Sequence, residues 1–169
     1  MVGMKTHELD SQKKKMSLKS MYFNRFLMIR YVIALFLFSN LYWFVFAIGT
    51  GNLTALVPAV LLFFAGRAIF EQILQLDNHR NQIPKAKHFF LLQLIVNALI
   101  LIVSLFGSVT SIFPFFQNTN QTNSFVQVIV LFGLLLAVLN LRKIHRIENN
   151  KDTHFQRIVD YEHILKEER

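Results

Sequence analysis

The chain has 169 residues, 18 of them Phe and none Cys, with a formal net charge of +8. A chain of this length makes one domain, and without thiols it has no disulfide framework, thiol nucleophile or thiolate metal site. Apolar residues make up 53% of the chain and gather in long runs, so the basic charge points to an integral membrane protein and not to a soluble nucleic-acid binder.

Residues 1–24 form a basic segment with Lys13, Lys14, Lys15 and Lys19, followed by Met21, Tyr22 and Phe23. No apolar core precedes a small-residue cleavage site, so no cleaved signal peptide is expected. Such a segment fixes orientation as a positive flank, or lies along the inner surface with its aromatics among the headgroups and its lysines toward anionic lipid.

The first span runs from about Phe26 to Ile48, with Arg30 near its inner end. After the turn GTGN, the second runs from about Leu53 to Phe70, with Arg67 placed to snorkel and Pro58 expected to kink the helix or free a carbonyl. A connector over 71–88 begins as a continuation of the second span; Phe70, Ile73 and Leu74 share an apolar face while Glu71, Gln75 and Asn78 face water, and Pro84 ends or redirects that helix. The third span, Phe89 to Phe113, has no charge, and the fourth runs from Phe125 to Leu141. All four lengths suit a helix that crosses the hydrocarbon layer, which takes about 20 residues. Strands of a transmembrane barrel would alternate apolar and polar residues, and these runs do not.

The two loops between spans one and two and between spans three and four carry no Lys, Arg, Asp or Glu, and all 18 basic residues fall in the other three regions. The positive-inside rule therefore places the N terminus, the connector and the C terminus in the cytoplasm. The expected fold is all-α: a polytopic four-transmembrane-helix bundle over residues 25–141, flanked by cytoplasmic segments 1–24 and 142–169. Chain size, compact loops and the Lys-rich start suit a multi-pass protein of a bacterial plasma membrane.

Polar residues inside lipid point at other helices. In span three Gln93, Asn97, Ser104, Ser108 and Ser111 form one stripe, and Asn40, Trp43 and Ala47 in span one and Gly133, Ala137 and Asn140 in span four form two more. The candidate polar bundle face is thus Asn40, Gln93, Asn97, Ser104, Ser108 and Asn140. Its plainest role is helix–helix adhesion; its sharper one is a polar route or a small-ligand pocket. Gln93 reads as lying near the cytoplasmic end of span three, which makes Asn97 the better match in depth for Asn40.

The tail opens with Arg142, Lys143 and Arg146 and continues, after a polar stretch in which Asp152 or Thr153 could cap a helix, into an amphipathic segment. Phe155, Ile158 and Val159 form a candidate partner-docking face. No zinc-protease, nucleophile-elbow or phosphate-loop motif occurs, and Asp160 with His163 is too little for a metal site, so no catalytic residue, cofactor or metal ligand is assigned and an enzyme is not expected. No acidic or basic residue sits at the middle of a span, where ion-coupled transporters keep theirs. The expected function is that of a non-catalytic membrane protein acting through protein contacts: an accessory or regulatory subunit, or a protective, immunity-like factor. The alternative is a small channel, transporter or transporter subunit with a route lined by the span-three amides and hydroxyls. Expected partners are anionic inner-leaflet lipid and another membrane protein or a second copy of the chain.

Overall fold

The computed structural model describes residues 2–51, 53–75, 82–107, 109–117, 119–152 and 155–159, with backbone alone for 2–15 and Lys19. Its helices are α1 (Val2–Gly49), α2 (Leu56–Leu74), α3 (Pro84–Phe106) and α4 (Asn120–Glu148), with short 3-10 turns at Leu53–Ala55 and Val109–Ser111. The chain is an all-helical membrane protein in which four helices are long and apolar enough to cross a bilayer. Consecutive helices pack side by side, and α1 and α4 touch only slightly. One end of the bundle carries the α1–α2 and α3–α4 connections and is the turn end. The other carries Arg25, Lys85 and Arg142 and is the basic end.

Exposure is inverted relative to a water-soluble fold. Phe63 and Phe106 are 63% and 89% exposed, whereas Asn40, Gln93 and Asn140 are 3%, 3% and 0% exposed. Large apolar side chains outside and amides inside are what a hydrocarbon solvent demands, because an unpaired amide in lipid is costly. The same logic corrects the expected faces of the α2 end. Phe70, Ile73 and Leu74 point outward, and Gln75 is buried where a water-facing residue was expected; Asn78 lies outside the described residues.

The helix ends follow from local chemistry. Pro58 occupies the third position of α2, in the first turn, where its missing N–H has no intrahelical partner to lose. Pro84 opens α3 instead of closing a helix, in the first position that its fixed φ favours. The carboxylate of Glu71 accepts from the Lys85 and Ala86 backbone N–H groups at 3.1 and 2.9 Å. Glu71 is thus an anionic cap supplied by the preceding helix, placed at the positive end of the α3 dipole. Glu71→Ala is expected to cost about 1 kcal/mol, and Glu71→Gln less, read as the midpoint of denaturation in mixed micelles.

α3 stops at Phe106, earlier than the apolar run suggests, because Gly107 turns extended (φ −139°, ψ −163°). The remaining apolar residues fold back: Phe113 sits 4.9 Å from the Trp43 ring and Phe115 sits 5.3 Å from Phe46. α4 begins earlier and ends later than the apolar run. Thr119 Oγ1 caps it by accepting from Thr122 N at 3.2 Å. Its last turn closes with Lys151 N donating to Arg146 O at 2.9 Å and Asn150 N to Ile147 O at 3.1 Å, and Asn150 takes φ +53°. This is the Schellman arrangement, with Asn at the left-handed position it tolerates better than most residues.

Candidate functional site

Two polar assemblies stand out, one inside the bundle and one at its basic end. The inner one separates two apolar clusters. Toward the basic end lie Phe36, Phe89, Phe90 and Ile144. Toward the turn end lie Trp43, Leu61, Ile100 and Val130. Between them Asn40 Nδ2 donates to Gln93 Oε1 at 2.9 Å, and Gln93 Nε2 donates to Asn97 Oδ1 at 3.0 Å. Gln93 itself bonds Asn40, contrary to the depth argument from sequence. α3 starts at Pro84, which puts Gln93 about 14 Å along the helix and well inside it.

The other members of the predicted face are placed elsewhere. Ser104 turns its hydroxyl to Leu101 O of its own helix at 2.8 Å, and its carbonyl accepts from Gln127 Nε2 at 3.0 Å. Asn140 donates to Leu136 O at 2.8 Å, and its Oδ1 has no partner among the described residues. Ser108 lies outside the described residues, and Ser111 sits in the 3-10 turn beyond α3.

Beside the three amides lies a cavity of about 300 Å³ in the seam between α1 and α4. Asn40, Gln93 and Asn97 form its polar wall, and Phe36, Trp43 and Phe113 are among its aromatic ones. Gly133 of α4 also borders it and has a specific reason to be glycine. A Cβ there would lie 2.6 Å from Asn97 Nδ2 and 3.5 Å from Phe36 Cε1. Gly133 makes room for the Asn97 amide.

The second assembly was not evident in the sequence. Arg25, at the boundary between the basic segment and the first span, is fully buried at the basic end of α1. Its Nε donates to Asp152 Oδ2 at 2.8 Å, and one terminal nitrogen donates to Asp152 Oδ1 at 2.7 Å, a two-pronged ion pair. The same nitrogen reaches Ile147 O at 3.2 Å and Asn150 Oδ1 at 3.3 Å. The guanidinium also lies 4.9 Å from the centre of the Phe155 ring. The chain reversal at Asn150 is what returns Asp152 to α1. A helical turn over 155–159 follows, with Phe155 against Arg25 and Ile158 only 1% exposed. Of the candidate docking face, Ile158 is therefore covered within the chain, while Phe155 and Val159 are half-buried. Lys87 and Glu148 form a further, more exposed pair at 2.8 Å, of the kind that contributes little.

No family model, curated protein or solved structure matches this chain. Among the described residues no three His, Asp or Glu side chains stand close enough together to hold a metal ion. The arrangement of polar groups can bind and brace: one assembly ties α1 to α3 within the bundle, and the other ties the tail to α1.

Proposed function

We propose that this is a non-catalytic membrane protein that works through protein contacts at the cytoplasmic face, as an accessory or regulatory subunit or a protective factor. In this reading it crosses a bacterial plasma membrane four times, with both termini inside. The observation that carries it is the length of α1. The helix has 48 residues, about 72 Å, against a hydrocarbon layer of about 30 Å. With residues 26–49 spanning, some 24 residues (2–25) continue past the inner surface as the same helix, instead of lying along it as a separate segment. An isolated helix is marginal in water, so an extension of this length is best accounted for by something that packs on it. Near the membrane the extension exposes Met16 (71%), Ser20 and Phe23 (41%), in a segment whose sequence also carries Lys13, Lys14, Lys15 and Lys19. The lysines also suit anionic inner-leaflet lipid.

Photocrosslinking groups at Met16 and Ser20 test this in the native membrane. The expected result is a discrete adduct of fixed mass at both positions and none at Phe63, which faces outward from α2 within its apolar run. Absence of an adduct at 16 and 20, or the same smear at all three, contradicts a contact role for the extension.

A channel or transporter role is the second reading, favoured by the cavity beside Asn40, Gln93 and Asn97. It requires that a cysteine at Asn97 or Ser104 react with a water-soluble thiol reagent from one side of the membrane.

A further inference from the structure

The cavity wall has an uneven hydrogen-bond inventory. The amide chain runs in one direction, Asn40 to Gln93 to Asn97. It uses Asn40 Nδ2 and the Asn97 oxygen and leaves Asn40 Oδ1 and Asn97 Nδ2 without a hydrogen bond among the described residues. Trp43 is 8% exposed; its indole N–H also has no partner among the described residues, but that atom is fully covered and does not open on the cavity. An acceptor and a donor, Asn40 Oδ1 and Asn97 Nδ2, therefore stand unused on the polar wall of the cavity, and a polar group left unpaired away from water carries a desolvation penalty that a hydrogen-bonding occupant removes.

None of the residues that line the cavity is ionisable. Asn40 lies nine residues, about 14 Å, from the α1 terminus at Gly49, which is near the middle of a layer of about 30 Å. A charged head at that depth would have no counter-charge, so a charged ligand is strongly disfavoured. Phe113 packs against Trp43 with its ring tilted by 45° and closes the turn end of the cavity. The way in is lateral: Leu35 of α1 and Ile129 and Phe132 of α4 line the cavity and are 48%, 53% and 57% exposed on the outer surface of the bundle. At about 30 Å³ per water-sized group, the space takes on the order of ten non-hydrogen atoms.

We propose that this cavity is a binding site, open to the bilayer between α1 and α4, for an uncharged amphiphile whose head carries a carbonyl oxygen. The head carbonyl accepts from Asn97 Nδ2 and a neighbouring hydroxyl donates to Asn40 Oδ1, its flat or apolar part lies against Phe36 and Phe113, and its hydrocarbon tail leaves past Leu35 and Phe132 into lipid. This site is independent of the contact role of the α1 extension, and neither stands or falls with the other.

Trp43 is the only tryptophan in the chain, so its emission reports on the site alone. The full-length protein in nanodiscs is titrated with a monoacylglycerol brominated at carbons 6 and 7, with the matching fatty acid at a pH where it is ionised, and with a brominated phosphatidylcholine. The expected result is saturable quenching by the monoacylglycerol, about tenfold weaker binding of the anion, and only weak, non-saturating quenching by the phospholipid. Gly133→Leu fills the space, and Asn97→Leu removes a donor while leaving Trp43 in place; each is expected to weaken monoacylglycerol binding about tenfold. If Gly133→Leu does not fold, Gly133→Ala and Asn97→Leu carry the comparison. Quenching linear in bromine content, no quenching, a preference for the anion, or identical titrations in wild type and folded variants would each overturn the proposal.

Discussion

Asp152→Ala is expected to lower stability by about 3–5 kcal/mol. The reason is asymmetric. The substitution leaves the fully buried Arg25 guanidinium without its carboxylate, among neutral groups that include Ile147 O, Asn150 Oδ1 and the Phe155 ring. Removing both charges is a different perturbation. Arg25→Met with Asp152→Leu eliminates the desolvation problem along with the attraction, and buried pairs replaced by apolar residues of similar volume are often neutral or stabilised. The single variant should therefore unfold at markedly lower SDS mole fraction, and the double variant should return close to the wild type. Equal losses in both would mean that Arg25 and Asp152 are not coupled. The readout also reaches the tail. Because the Asp152 carboxylate ties this part of the tail to Arg25, on which the Phe155 ring also lies, Asp152→Ala should speed proteolysis within 155–159, and the double variant should restore protection less completely.

Gly133→Leu carries the second large effect, about 1–3 kcal/mol, the usual range for overpacking a close contact. Its Cβ would sit 2.6 Å from Asn97 Nδ2, so the amide must swing away and strain its bond from Gln93. That relay is itself modest, since interhelical hydrogen bonds in membranes average about 0.6 kcal/mol. Sterics dominate, and the prediction follows from that: pairing Gly133→Ala with Asn97→Ala should recover part of the loss from Gly133→Ala alone, because the colliding group is gone. Strict additivity of the two substitutions would place the strain elsewhere.

The helices were largely legible in the sequence because a hydrocarbon solvent writes its demands locally, as unbroken apolar runs of spanning length. Their ends were less legible. Gly107 stops α3 before the apolar run is finished, and the leftover Phe113 and Phe115 look in sequence like span when they are a folded-back cover. The polar residues were readable as facing inward but not as to which partner each takes. Asn40 and Gln93 are 53 positions apart, and the reach of a Gln side chain decided the match where estimated depth misled. Arg25 and Asp152 are 127 positions apart and sit in segments whose composition reads as a positive flank and a polar linker. Nothing local marks either as buried. Glu71 likewise looks like a surface carboxylate until the chain turns at Ile83 and presents the first N–H groups of α3 to it. Pairings of this kind arise only once the helices are assembled.

The four-span arrangement with both termini inside is the claim on which the functional reading rests, and the absence of native cysteine makes it directly measurable. Single cysteines at Thr50, Gln117, Ser20, Gln82 and Lys151, taken one at a time, are treated in intact cells with a membrane-impermeant maleimide. Thr50→Cys and Gln117→Cys should label from outside, and Ser20→Cys, Gln82→Cys and Lys151→Cys only after the membrane is opened. Labelling of any of the last three in intact cells, or protection of the first two, would contradict the account.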